Sequence, residues 1–118
     1  MSGESSVLAR LMAVIEARNV NRPEKSYTAK LLAGGVEVIG AKVCEEAAEV
    51  VDAAGVAHED RGYSLTYEAA DLIYHLLVLL ASCEVSLADV EEELARRFGK
   101  SGLREAVSPT CPCAEPAQ

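Results

Sequence analysis

Two short acidic motifs lie near the centre of the chain, and each places two carboxylates one helical turn apart. Glu46 and Glu49 form the first motif, and Glu68 and Asp71 form the second. Residues spaced by three lie on the same face of an α-helix, so each pair would project from one side of its helix. Oxygen-rich carboxylate groups suit hard divalent cations such as Mg²⁺. The spacing therefore predicts a cation site, provided that the two helices bring the motifs together.

The second motif is the harder one to explain as surface charge. Residues 65–80 are apolar around most of the helix, yet Glu68, Asp71 and His75 fall within about 60° of one another on a helical wheel. Acids are seldom placed in an apolar helix without a charged or metal partner. The first motif alone would also fit the solvated edge of an amphipathic helix, where glutamates are common. Both motifs together favour a functional cluster.

Antiparallel packing of the two helices through their apolar faces would bring the acids together at the seam, with Glu45 beside them. The acids expected to hold Mg²⁺ are Glu46, Glu49, Glu68 and Asp71. No cysteine or pair of histidines accompanies them, which counts against zinc. A bound cation would also allow a chain of net charge −8 to bind a polyphosphate.

Two neighbours of the acids have competing interpretations. Lys42 could contact a phosphate, or it could form an ion pair with Glu46 one turn further along the helix. His75 could orient a carboxylate or a water, but a core histidine hydrogen-bonded to a neighbouring helix is the preferred interpretation. Tyr67 and Tyr74 point to another side of their helix and are expected to be packing residues.

Hydrophobic periodicity assigns these residues to helices. The pattern predicts helices over residues 7–18, 26–33, 36–54, 63–82 and 87–98. Gly34 and Gly35 would end the short second segment, and the polar stretch 55–62 would connect the two acidic helices. The economical architecture is an all-α, compact four-helix arrangement, because no strand alternation of useful length occurs. Helices this short leave apolar surface uncovered, which a homodimer would cover.

Composition limits the class of protein. The chain has 118 residues, half of them hydrophobic, which predicts one domain over 7–98, with a flexible segment at 1–6 and an extension at 99–118 that is disordered from about 108. The charge of −8 argues against nucleic acid. The apolar run 72–81 is shorter than the roughly 20 residues that span a bilayer, and no signal sequence precedes it. A cytoplasmic protein without a membrane partner is expected, and a disulfide framework is not expected in that compartment. Cys111 and Cys113 in the tail could bind a soft metal or respond to oxidation, but two thiols alone do not make a zinc site.

The residues around the acidic motifs resemble the phosphoribosyl-ATP pyrophosphohydrolase family, which is related to the MazG-like all-α nucleotide pyrophosphohydrolases. The motifs Glu46-Ala-Ala-Glu49 and Glu68-Ala-Ala-Asp71 have the spacing of the wider group. The flanking blocks are those of the family: Ser26-Tyr-Thr-Ala-Lys-Leu31, Lys42-Val-Cys-Glu-Glu-Ala-Ala-Glu49 and Tyr67-Glu-Ala-Ala-Asp-Leu-Ile-Tyr-His-Leu-Leu-Val-Leu-Leu80. The resemblance covers about residues 7–98. Cys44 stands where the family usually has a small residue such as Gly, and the tail from Ser108 has no recognised counterpart.

The resemblance implies an enzyme that hydrolyses 1-(5-phosphoribosyl)-ATP to 1-(5-phosphoribosyl)-AMP and pyrophosphate, the second step of histidine biosynthesis. It implies a cytoplasmic homodimer or larger assembly and a Mg²⁺-assisted attack of water at the α-phosphorus. The implied catalytic residues are Glu45, Glu46, Glu49, Glu68 and Asp71, and either Glu45 or a cluster acid takes the proton of the water. The implied substrate-binding residues are Ser26, Tyr27, Thr28, Lys30 and Lys42.

Three alternatives remain at the level of sequence. The position of Ser26 before a predicted helix favours a role as helix cap. The same acids would serve a general house-cleaning nucleoside triphosphate pyrophosphohydrolase, which substrate profiling would distinguish. A non-catalytic helical dimer that binds divalent ions is a third interpretation, and it predicts metal binding without release of pyrophosphate.

Overall fold

The computed structural model describes residues 6–56 and 58–99, and these residues form helices without any strand. The four helices are α1 (Val7–Val20), α2 (Tyr27–Ala54), α3 (His58–Ser82) and α4 (Leu87–Gly99). The predicted all-α, four-helix class is confirmed, and the short helix predicted at 26–33 is the first part of α2. The predicted disordered tail, with Cys111 and Cys113, lies outside the described residues, as does most of the predicted flexible segment 1–6.

The first three helices share one aliphatic core. Its buried hydrophobic side chains are mostly small or branched: Met12, Ile15, Ala29, Leu31, Leu32, Ile39, Ala53, Leu77, Val78 and Ala81. The start of α1 is capped by Ser6, whose hydroxyl accepts a hydrogen bond from the amide of Ala9 at 3.1 Å. The amide group of Asn19 donates to the carbonyl of Ala81 at 3.3 Å and ties α1 to α3. These contacts hold α3, which carries the second acidic motif, against its neighbours.

A backbone break divides α2 at Gly35. This residue has φ +76° and ψ −171°, a conformation that side chains with a Cβ rarely adopt. The preceding glycine is also constrained, because a Cβ at Gly34 would lie 2.7 Å from the side chain of Val38. The sequence predicted a stop at this glycine pair. The helix resumes immediately after the break, so the two predicted helices form one interrupted element with residues 27–34 as its first arm.

The connection between α2 and α3 is shorter than predicted. Gly55 caps α2, and α3 begins at His58 instead of near Tyr63. The prediction read Gly62 as part of a loop, but an isolated glycine is tolerated within a helix at a modest cost. Apart from its chain neighbours and the backbone of its own helix, no heavy atom lies within 4 Å of where a Cβ of Gly62 would be. The acids of α3 are therefore carried by a longer helix than expected.

One segment among the described residues, Gly62–Ser82, is long and apolar enough to cross a membrane by length and composition. Its mean hydropathy is 1.3. Core helices of soluble proteins have the same properties, so this is weak evidence for a membrane span. The segment also contains Glu68, Asp71 and His75, which are costly in a hydrocarbon environment.

The helix α4 belongs to a second compact unit, which begins at Ser86. The hydroxyl of Ser86 accepts a hydrogen bond from the amide of Asp89 at 3.0 Å, as predicted for a helix cap. On the exposed surface of α4, Glu93 accepts hydrogen bonds from the guanidinium groups of Arg96 and Arg97, each with one N–O distance of 3.0 Å. These pairs follow the helical spacings of three and four residues.

Candidate active site

Carboxylates of α2 and α3 meet where the two helices pack together. Glu46 on α2 and Glu68 and Asp71 on α3 each offer one oxygen, and these three oxygens lie within 4.8 Å of one another. Glu46 is 5% exposed, and the two acids of α3 are partly buried. The structure thus brings three of the four acids predicted as metal ligands into one group, which we call the carboxylate cluster.

Two oxygens of the carboxylate cluster are buried and have no hydrogen-bond partner. They are Oε1 of Glu46 and Oε1 of Glu68. An unpaired buried carboxylate oxygen is costly, and native proteins normally provide such an atom with a donor or a cation. The donor set consists of oxygens from three carboxylates, which fits Mg²⁺ and leaves coordination positions for water and phosphate. The residues present therefore fit a hard divalent cation.

Glu49, the fourth predicted ligand, lies beside the carboxylate cluster. Burial raises the pKa of Glu49, and the adjacent carboxyl group of Glu68 raises this pKa further through a hydrogen bond and through charge repulsion. A contact with Glu46 acts in the opposite direction. Glu49 therefore lies within electrostatic reach of Glu46 and Glu68, although it is not one of the three acids whose oxygens lie within 4.8 Å of one another.

Lys42 places a positive charge at the edge of the carboxylate cluster. Its Nζ lies 3.3 Å from Oε1 of Glu45 and 3.5 Å from Oε2 of Glu46. The hydrogen bond with Glu45 is the main reason that the pKa of Lys42 is raised. The predicted ion pair with Glu46 is confirmed, and Glu45 is the nearer partner. Oε1 of Glu46 gains nothing from this contact and remains unpaired.

Residues 26–30, at the start of α2, include several predicted substrate-binding residues that form hydrogen bonds within the protein. The hydroxyl of Ser26 accepts a hydrogen bond from the amide of Ala29 at 3.0 Å, so the interpretation of Ser26 as a helix cap is confirmed. Thr28 is hydrogen-bonded to the hydroxyl of Tyr74. Lys30 is exposed and lines a shallow surface depression that also includes Arg22.

His75, on α3, connects the start of α2 to the part of α3 that carries the second acidic motif. The ring is buried, with its Nε2 3.2 Å from the hydroxyl of Tyr27 and its Nδ1 2.9 Å from the backbone carbonyl of Asp71. The prediction of a core histidine bonded to a neighbouring helix is confirmed. Sequence reasoning did not identify Tyr27 as the partner, because the two residues are 48 positions apart and no periodicity relates them.

The two tyrosines of α3 expected to be packing residues differ in their surroundings. Tyr74 stacks against Tyr27 with ring centroids 6.3 Å apart and contacts the edge of His75. Burial raises the pKa of Tyr74. Tyr67 stacks against Tyr63 at 6.4 Å, and both rings are exposed. Of these two, Tyr74 is the one that contributes to the connection between α2 and α3.

An all-α fold in which acids of two packed helices face one another, with E-x-x-E on one helix and E-x-x-D on the next, defines the class of MazG-like nucleotide pyrophosphohydrolases. Within that class, residues 8–98 match the family model described as phosphoribosyl-ATP pyrophosphohydrolase. The chain belongs to this family.

Curated relatives named phosphoribosyl-ATP pyrophosphatase are similar over most of the chain. The relative from Rhodopirellula baltica is 50% identical over 101 residues, which cover 86% of this chain and 84% of that protein. The relative from Rhizobium etli is 49% identical over 105 residues, covering 89% and 94%. The relative from Dinoroseobacter shibae is 52% identical over 103 residues, covering 87% and 98%.

Proposed function

We propose that this chain hydrolyses 1-(5-phosphoribosyl)-ATP to 1-(5-phosphoribosyl)-AMP and pyrophosphate, the second step of histidine biosynthesis. Family membership supports the reaction, and the name of the relatives supports the substrate. The observation that carries the chemistry is the carboxylate cluster, in which two buried oxygens have no partner within the described protein. Such a cluster suits an enzyme that acts on polyphosphates through a divalent cation.

The cation is proposed to be Mg²⁺, held by Glu46, Glu49, Glu68 and Asp71. A bound Mg²⁺ would coordinate phosphate oxygens and neutralise the charge that develops on the leaving pyrophosphate. Glu46 and Glu68 contribute the unpaired oxygens described above. Lys42 adds a second positive charge at the edge of the cluster, within reach of a phosphate that displaces its contact with Glu45.

The reaction requires a nucleophile, a proton acceptor and a leaving group. A water molecule attacks the α-phosphorus, the bond between this phosphorus and the bridging oxygen to the β-phosphate breaks, and pyrophosphate leaves. The proton of the water passes to a carboxylate, either Glu45 or an acid of the carboxylate cluster. Glu45 is exposed, and Lys42 holds its carboxylate at 3.3 Å on the rim of the cluster. Measuring Glu45→Gln against Glu46→Gln as a function of pH separates these candidates.

Substrate binding is proposed to involve Ser26, Tyr27, Thr28, Lys30 and Lys42. Lys30 is exposed, so its ammonium group can bind a phosphate. The hydroxyls of Tyr27 and Thr28 are hydrogen-bonded to α3, so these two hydroxyl groups would act mainly by holding the first arm of α2 in position. Ser26 would act in the same indirect way, because it caps that arm.

The assembly is proposed to be a cytoplasmic homodimer or larger homo-oligomer. Large hydrophobic side chains are exposed on α2 and α3, among them Val51 at 71% and Tyr63 at 80%. A second copy of the chain would cover such surface. Light scattering coupled to size-exclusion chromatography should give at least twice the monomer mass, and a monomer at micromolar concentration would refute this part of the proposal.

The test of function is release of pyrophosphate in the presence of Mg²⁺, comparing phosphoribosyl-ATP with ATP, dUTP and dCTP at equal concentration. We expect a strong preference for phosphoribosyl-ATP, and this activity should be lost in Glu46→Gln. Glu37→Gln is a matched control, because Glu37 is an exposed glutamate on the same helix outside the carboxylate cluster. Preference for a common or damaged nucleotide would indicate a house-cleaning enzyme. Metal binding without release from any substrate would indicate a non-catalytic protein.

A further inference from the structure

The hydrogen bond between His75 and Tyr27 has a direction that its surroundings fix. Nδ1 of His75 faces the backbone carbonyl of Asp71 at 2.9 Å, and a carbonyl can only accept, so this nitrogen carries the proton. In the neutral ring, Nε2 is then an acceptor. The hydroxyl of Tyr27, 3.2 Å away, donates to it. The hydroxyl hydrogen of Tyr27 is therefore committed to His75 and unavailable to a phosphate.

The ring of Tyr27 is held on one side and open on the other. Tyr74 stacks against it at 6.3 Å, and His75 meets it edge to face at 6.1 Å. The side chain is nevertheless 51% exposed. The same histidine that binds its hydroxyl also bonds the backbone carbonyl of Asp71, which belongs to the carboxylate cluster. The ring of Tyr27 is therefore held next to the turn of α3 that carries this acid.

An aromatic surface with its hydroxyl hydrogen already committed suits a sugar or a base better than an anion, because it offers apolar area and an acceptor oxygen. We propose that His75 is a positioning residue for the pyrophosphohydrolase reaction. It holds the side chain of Tyr27 so that the exposed part of the ring contacts the nucleoside portion of the substrate next to the phosphates. This inference rests on the proposed function, and it assigns to His75 a role that acts through Tyr27.

Substitutions at His75 can separate its two hydrogen bonds. His75→Asn retains a donor near the position of Nδ1 and removes the acceptor for Tyr27, whereas His75→Gln places an amide oxygen near the position of Nε2. We expect His75→Asn and Tyr27→Phe to raise KM roughly three- to fifteenfold with kcat little changed, since the contact exists equally before and during reaction. His75→Gln should restore KM to within about twofold of the wild-type value. Tyr67→Phe, which removes a tyrosine hydroxyl from α3 outside this network, is the matched control.

Inorganic triphosphate distinguishes positioning from general damage to the site. It shares the phosphates of the substrate and lacks the nucleoside, so its inhibition constant should be the same in wild type, His75→Asn and Tyr27→Phe. The double variant should show no larger rise in KM than either single variant, because both remove the same hydrogen bond. Unchanged KM in His75→Asn, equal weakening of triphosphate and nucleotide, or additive effects in the double variant would each overturn the proposal.

Turnover of the wild-type protein on the nucleotide panel shows whether the role of His75 or the proposed function is wrong. The kinetics use whichever nucleotide of the substrate panel the wild type hydrolyses fastest, so a preference for ATP would reject the substrate and still test His75. A wild type without any turnover would reject both proposals. Nitrogen-15 NMR of the imidazole reports the geometry independently: Nδ1 of His75 should be protonated, Nε2 should be unprotonated, and Tyr27→Phe should shift the Nε2 signal. The reverse tautomer would overturn the inference.

Discussion

Two groups of acids among the described residues have opposite electrostatic surroundings. On α4, Glu93 accepts hydrogen bonds from Arg96 and Arg97, which lower its pKa to about 2. At the seam of α2 and α3, Glu46 and Glu68 each retain a buried oxygen without a partner, and burial together with Glu68 raises the pKa of Glu49. The same residue type is neutralised by guanidinium groups in one region and crowded by other acids in the other.

This contrast distinguishes acids that stabilise a helix from acids that are prepared for a ligand. An exposed glutamate that pairs with two arginines has all the counter-charge it requires. Such a surface ion-pair network contributes little to the free energy of unfolding. Partly buried carboxylates that face one another destabilise the protein when no ligand is bound, because burial removes their hydrating water and their like charges repel. Lys42 offsets this repulsion at only one edge. The remaining negative charge is what a divalent cation would neutralise.

The largest effect is expected from neutralising an acid of the carboxylate cluster. Glu46→Gln and Asp71→Asn should each reduce kcat/KM for Mg²⁺-dependent pyrophosphate release by at least about a hundredfold, as removal of a main stabilising group at a reaction centre does. Glu93→Gln, which removes the same charge from α4, should retain wild-type turnover. Full activity in Asp71→Asn, measured at saturating Mg²⁺, would show that the acids of the carboxylate cluster are not required for the reaction.

The second effect concerns stability and Mg²⁺. A ligand that binds only the folded state stabilises it by about 2.7 kcal/mol at a concentration one hundred times its Kd, so saturating Mg²⁺ should raise Tm of the wild type by several degrees. Thermal unfolding followed by circular dichroism, with Mg²⁺ or with EDTA, measures this shift. It should be largely absent in Glu46→Gln and unchanged in Glu93→Gln.

The same melting curves contain an internal check. In EDTA, Glu46→Gln should be at least as stable as the wild type, because the substitution removes repulsion within the cluster at nearly constant volume, and this gain outweighs the lost ion pair with Lys42, whose nearer partner is Glu45. A variant that melts well below the wild type in EDTA would indicate that Glu46 stabilises the apo fold. That result would contradict the view that the acids of the cluster are unfavourable without a ligand.

The carboxylate cluster was predictable from sequence because helical periodicity is a local property. A spacing of three residues fixes which acids share a face, and the apolar residues around Glu68 and Asp71 indicate which face is buried. The contact between the motifs then follows from packing the two apolar faces. Glu46, Glu68 and Asp71 accordingly meet as expected.

The features that sequence did not predict depend on long-range contacts or on ambiguous glycines. The pairs Tyr27–His75 and Thr28–Tyr74 join residues more than 40 positions apart, and no local pattern selects one partner over another. Gly62 was read as a loop residue although it lies within α3, since a single glycine is compatible with either state. At Gly35 the glycine pair did signal a change of backbone, but such a pair is compatible with a helix that ends and with one that resumes.

A smaller effect is expected from removing the lysine at the edge of the carboxylate cluster. Lys42→Met should lower the stability of the apo protein by about 1 kcal/mol, because Glu46 loses its ion pair and Glu45 loses its hydrogen bond, while the apolar stem of the side chain is kept. Added Mg²⁺ should recover most of this loss. A destabilisation that is the same with and without Mg²⁺ would mean that Lys42 acts by packing and does not share the charge of the cluster with the cation.

The smallest effect is expected on α4, and it has a defined pH dependence. The pKa of Glu93 lies at about 2, below its usual value of 4.5, so the folded state favours the ionised carboxylate. The stability that this provides is fully present above pH 4.5 and is lost as the pH falls from 4.5 towards 2. Glu93→Gln should therefore lower Tm by no more than about two degrees at pH 7. The difference in Tm between wild type and variant should vanish below pH 2, where the carboxyl group is protonated in both the folded and the unfolded state. A difference that persists there would show that the arginines stabilise α4 by packing alone, so that Glu93 would no longer be an acid stabilised by paired charge, in contrast to Glu46 and Glu68.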